Sequence, residues 1–197
     1  MISLQSLERR IAEDGHVIGS DILKVDMFLN HQIDVKLLND IGKEFRRVFS
    51  GIRPDKILTI EASGIGIACI AAQYFDNIPV VFAKKGAHRN VGSNLYYSDV
   101  FSYTKGVTCT IGVSKDYLHA GEKILIIDDF LAKGGAVLGL KDIIEQAGAQ
   151  LCGVGIVIEK GFQDGGEKLR RMGINVQSLA VVQSMRDGKI SFGKGSR

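Results

Sequence analysis

Residues 124–136 read Ile-Leu-Ile-Ile-Asp-Asp-Phe-Leu-Ala-Lys-Gly-Gly-Ala. With Lys123 before them, the first four form a continuous apolar run of strand length, suited to a strand buried on both faces of a parallel sheet. Asp128 and Asp129 follow at once. Two adjacent carboxylates at the end of a buried strand suffer desolvation and mutual repulsion unless a cation or hydroxyl groups meet them. The small-residue loop after them opens a helix with an apolar stripe at Val137, Leu140, Ile143, Ile144 and Ala147. The free N–H groups of a helix start attract anions. Carboxylates for hydroxyls, next to amides for a phosphate, suit a phosphorylated sugar.

Working outward, Lys56–Ile60 is a β-branched run, followed by Glu61-Ala62-Ser63-Gly64, a small-residue helix to about Phe75, and a second apolar run, Pro79–Ala83. Strand, helix, strand in this order makes a parallel crossover. Downstream come a strand at Gly153–Ile158, a short helix from about Gly166 to Met172, and a last strand near Asn175–Ala180. This order predicts an α/β fold: an open, mostly parallel twisted sheet with helices on both faces. Residues 98–104 and 108–114 read as an antiparallel pair around Lys105-Gly106, expected as a mobile excursion from the sheet. Residues 2–14 form an amphipathic pattern closed by Gly15, and residues 22–32 lack clear periodicity. From Asp34, which can cap, Val35, Leu38, Ile41, Phe45 and Val48 recur three or four apart, giving a helix that ends near Ser50-Gly51. Without repeats or linkers, residues 1–197 are expected to make one domain with an N-terminal elaboration.

Composition excludes several classes. The chain has 197 residues, 25 Lys+Arg against 22 Asp+Glu, and a net charge of +3, with no clustered basic face, so nucleic-acid binding is disfavoured. Cys69, Cys109 and Cys152 are far apart, and the four histidines are scattered. No zinc site can be drawn, and a reduced, cytoplasmic protein fits. Charged Glu8, Arg9, Arg10 and Glu13 stand where a signal peptide needs an apolar core, and the apolar stretch around Ile65–Phe75 is too short to span a membrane. Gly64-Ile-Gly66 begins a dinucleotide-binding fingerprint, but Cys69 replaces its third glycine and the next strand ends in Lys84 rather than an acid. No organic cofactor is expected.

Ligands of such sheets bind at the carboxyl ends of the strands. Four ends carry unusual residues: Glu61–Gly64; Lys84 and Lys85; Asp128 to Ala136; and Glu159-Lys160.

The stretch 124–136 resembles the phosphoribosyl-pyrophosphate motif of the type I phosphoribosyltransferases, and the whole chain resembles the bacterial branch that acts on xanthine. LKVDMFLNHQID (23–34), TIEASGIG (59–66) and VIEKGF (157–162) carry the rest of the resemblance. It implies the type I phosphoribosyltransferase fold with an N-terminal hood from about residues 1–34. Asp128 and Asp129 would lie by the ribose hydroxyls, and Ala132, Lys133, Gly134, Gly135 and Ala136 would wrap the 5′-phosphate. Lys133 and Ala136 depart from the commoner Thr, so grip falls to backbone N–H groups, with the Lys133 charge beside them. Ala132 stands where hypoxanthine-guanine enzymes keep an Asp, so no side-chain base is expected there.

The resemblance further makes Glu61, Ala62, Ser63 and Gly64 a pyrophosphate loop, with Lys84 and Lys85 neutralising the leaving group and residues 101–105 closing over the centre. Leu23, Asn30, Lys160 and Phe162 would hold the base, Lys160 by donating to a purine carbonyl. The implied reaction moves ribose 5-phosphate from phosphoribosyl pyrophosphate to N9 of xanthine. Mg²⁺ would arrive with the substrate rather than on a protein site, and a homodimer is expected, with residues 84–115 reaching the neighbouring subunit. A guanine or hypoxanthine enzyme and a non-catalytic sensor of phosphoribosyl pyrophosphate are the competing functions; the sensor would need a DNA-binding domain where residues 1–50 already form hood and helix.

Overall fold

Ile124 and Ile126 point to one face of the sheet, Leu125 and Ile127 to the other, and all four are fully buried. That alternation divides the molecule into two cores. The computed structural model describes residues 4–86, 94–102, 106–186 and 188–193. Its elements are α1 (Leu4–Asp14), β1 (His16–Ile18), β2 (Ile22–Lys24), a π-helical turn (Asp26–Asn30), α2 (Val35–Val48), β3 (Lys56–Ile60), α3 (Ser63–Ala72), β4 (Val80–Lys85), β5 (Leu95–Ser102) and β6 (Val107–Ser114). After these come β7 (Lys123–Leu131), α4 (Gly135–Gln146), β8 (Gln150–Lys160), α5 (Gly165–Arg171), β9 (Val176–Arg186) and β10 (Lys189–Phe192).

Eight strands form one sheet in the order β10-β9-β8-β7-β3-β4-β6-β5. The five central strands run parallel, while β10, β6 and β5 join antiparallel. Helices α1, α2 and α3 cover one face, burying Ile11, Leu38, Phe45 and Ile67 against Leu125 and Ile127. Helices α4 and α5 cover the other, with Leu140, Ile143 and Leu169 against Ile124 and Ile126. The expected α/β fold is thus present. Asp34 caps α2 as its position suggests, its carboxylate accepting from the Leu37 N–H at 3.0 Å.

Three details differ from the sequence reading. First, Asp128-Asp129 and Glu159-Lys160 lie inside β7 and β8, and Lys84-Lys85 inside β4, rather than in loops beyond them. The apolar runs marked only the doubly buried middle of each strand, whereas pairing with neighbours carries the strands further. Second, β5 and β6 are no excursion: β6 pairs with the end of β4 at Lys84↔Gly112 and Lys85↔Ile111, so the hairpin extends the main sheet. Its tip, residues 103–105, lies outside the described residues, as do residues 87–93 of the stretch before it. Third, residues 16–30 fold as a two-stranded ribbon and a π-helical turn, and β10 adds an antiparallel edge strand. Among the described residues no helix is long and apolar enough to cross a membrane.

Candidate active site

The sheet changes winding direction between β3 and β7, where one half of the chain proceeds to β4 and the other to β8. Open α/β sheets bind ligands at such a switch point. Pairing of β3 with β7 ends at Leu58↔Ile126, while β7 goes on along β8 to Leu131↔Glu159. The strands part at this point, and the acid pair stands where they separate.

A cavity of about 490 Å³ opens there. Of the residues singled out in the sequence, Glu61, Ala62, Ser63, Gly64, Lys85, Asp128, Asp129, Ala132, Lys133, Gly134, Gly135 and Ala136 line it. Three segments distant in sequence therefore meet around one space. Lys84 does not line it; strand alternation sends Lys84 to the side opposite Lys85. Val100, Phe101, Val107, Cys109 and Ile111 of the β5–β6 hairpin form an apolar wall, of which sequence reading singled out only Phe101, in the segment 101–105.

Asp128 is 4% exposed. Burial, then the adjacent Asp129 charge, raise its carboxyl well above the ordinary Asp value. The chain folds back on the pair: the Asp129 N–H donates to Asp128 Oδ1 at 3.0 Å, and the Phe130 N–H to Asp129 Oδ1 at 2.8 Å. Across the cavity the Glu61–Ala62 peptide is cis. Glu61 closes that loop onto β4, with its N–H donating to the Ala83 carbonyl and its carboxylate accepting from the Lys85 N–H at 2.5 Å.

The loop after β7 enters α4 through Gly134, whose φ of 82° lies in the left-handed region that favours glycine. The first turn of α4 leaves backbone N–H groups without acceptors inside the helix, and Gly135, Ala136 and Val137 line the cavity. Gly165, at the start of α5, backs this loop: its N–H donates to the Ala132 carbonyl at 3.2 Å. Lys133 reaches out to Asp164 at 3.2 Å, an exposed pair in which the Asp164 side chain stands mostly in solvent, and the Lys133 ammonium lowers the Asp164 carboxyl.

Leu23, Asn30, Lys160 and Phe162 do not line this cavity. Leu23 is buried in the core beneath α1, and Phe162 stands half-exposed in the turn after β8. Asn30 closes the π-helical turn with its Oδ1 buried and unpartnered. Lys160 bridges toward the β1–β2 turn, donating to the Asp21 carbonyl at 2.5 Å with its ammonium 5.9 Å from the Phe130 ring centroid. Burial lowers the Lys160 ammonium, an effect opposed by the Asp21 charge. Phe130 thus links the acid pair to Lys160. Its signal in the sequence was an aromatic immediately after two acids; Gly165 was signalled only by the Gly165-Gly166 doublet.

Glu159, one residue before Lys160, serves the scaffold. Burial alone would raise its carboxyl, but Arg170 in a two-pronged pair at 2.9 and 2.6 Å, together with the Ser178 hydroxyl, outweighs this and holds it below the ordinary value. The pair fastens α5 to β8 behind the loop 132–136. Glu159→Gln is expected to cost about 2 kcal/mol, less than a fully buried pair because Arg170 keeps some exposure, and to lower Tm by roughly 6 °C. A depressed carboxyl stabilises above its unfolded pKa and loses that effect as pH falls through the folded one. The deficit of the variant should therefore shrink toward acid pH in thermal melts; a deficit independent of pH would assign the loss to packing.

Comparison with known proteins extends the geometry. The family model described as a phosphoribosyl transferase domain matches residues 24–174. A xanthine phosphoribosyltransferase of Ruminiclostridium cellulolyticum is 62% identical over 189 residues, covering 96% of this chain and 99% of the relative. One of Laribacter hongkongensis is 55% identical over 190 residues, covering 96% and 100%. Among solved structures, adenine phosphoribosyltransferase from Thermoanaerobacter pseudethanolicus matches with a TM-score of 0.71 at 22% identity, covering 91% of this chain and 99% of that one, a likeness of fold. A family match across most of the chain, joined to relatives this similar from end to end, establishes that the chain belongs to the phosphoribosyl transferase family.

Proposed function

We propose that this protein is a xanthine phosphoribosyltransferase of purine salvage, transferring ribose 5-phosphate from phosphoribosyl pyrophosphate to N9 of xanthine with release of pyrophosphate. The observation that carries the proposal is the meeting, around one cavity, of an acid pair, a helix-opening glycine loop and the 61–64 loop. Relatives at 54–62% identity bear the same activity in their names.

In this reading Asp128 and Asp129 accept hydrogen bonds from the ribose hydroxyls and face the positive charge that grows on the anomeric carbon as the bond to pyrophosphate breaks. The N–H groups at the start of α4 hold the 5′-phosphate. The 61–64 loop and Lys85 receive the leaving pyrophosphate, and the apolar wall from β5 and β6 excludes water from the reacting carbon. Three acidic residues, Glu61, Asp128 and Asp129, line the cavity, and the Glu61 carboxylate is already engaged by the Lys85 N–H. That donor set fits Mg²⁺ carried mainly by substrate and water oxygens. When bound, Mg²⁺ would neutralise charge on the pyrophosphate. A homodimer belongs to the proposal, supported by exposed Phe82 and Val107 toward one edge of the sheet. The three cysteines are free, consistent with a cytoplasmic setting.

Lys160, on the hood side of Phe130, would donate to a purine carbonyl, a role mismatched to the amino group of adenine. Lys160→Ala should raise the base KM about tenfold with a much smaller effect on the KM of the sugar substrate. Equal effects on both would remove Lys160 from the base site. The function itself is tested by pyrophosphate release with phosphoribosyl pyrophosphate and Mg²⁺, offering xanthine, guanine, hypoxanthine and adenine separately. The highest kcat/KM is expected with xanthine. No release with any base, alongside tight binding of the sugar pyrophosphate, would make the protein a sensor.

A further inference from the structure

Thr59, the penultimate residue of β3, is fully buried, and its hydroxyl has no hydrogen-bond partner. A buried hydroxyl left unpaired is costly, and valine would fill the same volume without that cost. What lies beside the hydroxyl is Asp128. A Cβ placed on Gly64 would stand 2.0 Å from Thr59 Oγ1 and 2.9 Å from Asp128 Oδ1, so both oxygens border the space that the missing side chain of Gly64 leaves, with no hydrogen bond joining them in this state. Thr59 also sits one residue past Leu58↔Ile126, the last β3/β7 pair, where the parting strands open the site.

We propose that Thr59 is the positioning residue for Asp128: as the carboxylate takes up the ribose hydroxyls, Oδ1 settles toward the Thr59 hydroxyl across the space left by Gly64 and accepts its hydrogen bond. Gly64 leaves room for that approach, and the hydroxyl proton turns about a single bond to meet the oxygen. The donated bond aims the other carboxylate oxygen into the cavity and strengthens as that carboxylate takes up substrate hydroxyls. Thr59 itself does not line the cavity, so it acts through Asp128. The inference rests on the proposed transferase activity.

The test is steady-state kinetics of the full chain with Mg²⁺, phosphoribosyl pyrophosphate and xanthine, comparing Thr59→Val and Thr59→Ser with the unsubstituted protein. Thr59→Val is expected to lower kcat about tenfold and raise the KM of the sugar substrate, to leave the xanthine KM within about twofold, and to melt no lower than the parent. Thr59→Ser, which keeps the hydroxyl, is expected to recover most of kcat. Parental kcat in Thr59→Val, or Thr59→Ser as slow as Thr59→Val, would overturn the positioning role while leaving the transferase reading intact. An unsubstituted protein without turnover would overturn both.

Discussion

Asp128→Asn combined with Asp129→Asn lowers turnover by about 10³-fold, the equivalent of about 4 kcal/mol of lost charge-assisted hydrogen bonding to the ribose. The fold survives this change. Asp128 is buried, and its raised carboxyl means that its charge opposes folding: a carboxyl that holds its proton more tightly when folded subtracts stability as pH climbs above its unfolded value. The variant should therefore melt at or above the parental temperature at neutral pH, with the gain shrinking as pH falls toward the ordinary carboxylate range. Pyrophosphate release and thermal melts of the same preparation decide the matter. Turnover within about tenfold of the parent would remove the acids from the ribose site. A collapse of melting temperature would make them structural instead.

Gly165→Ala lowers kcat/KM for the sugar substrate by about 10²-fold, the size expected when a binding group is displaced by about an ångström. A Cβ there would stand 2.2 Å from the Ala132 carbonyl oxygen and 2.6 Å from the Gly134 nitrogen. Both are backbone atoms of the loop, so no flexible side chain can yield and the loop itself has to move. Because Lys160 lies elsewhere, across Phe130, the xanthine KM should change little. Equal losses for both substrates, or none, would show that this loop does not hold the sugar phosphate.

The parts of the fold visible in the sequence were those whose causes are local. The cap at Asp34 and the stripe from Val35 to Val48 specify α2 within a few turns, and Ile124–Ile127 specifies a doubly buried strand without reference to its neighbours. The segment 16–30 was less legible. Its two strands have three residues each and its π-helical turn five, too short for periodicity to register, and their shape depends on packing against α1 and on the bond from Lys160 to Asp21. The β5–β6 hairpin was recognised as antiparallel, but only pairing with the end of β4 made it part of the main sheet.

The candidate site divides along the same line. By itself the sequence determined that an acid pair, a small loop and a helix start stand together, because they lie within one contiguous stretch whose geometry follows from short-range sterics. Only the tertiary structure decided how neighbouring charges are used. Glu159 and Lys160 are adjacent in β8, yet Glu159 is tied to Arg170 behind the loop and Lys160 reaches the β1–β2 turn. The reason is strand geometry: successive side chains leave a sheet on opposite faces, so partners are set by what the register and the covering helices bring to each face.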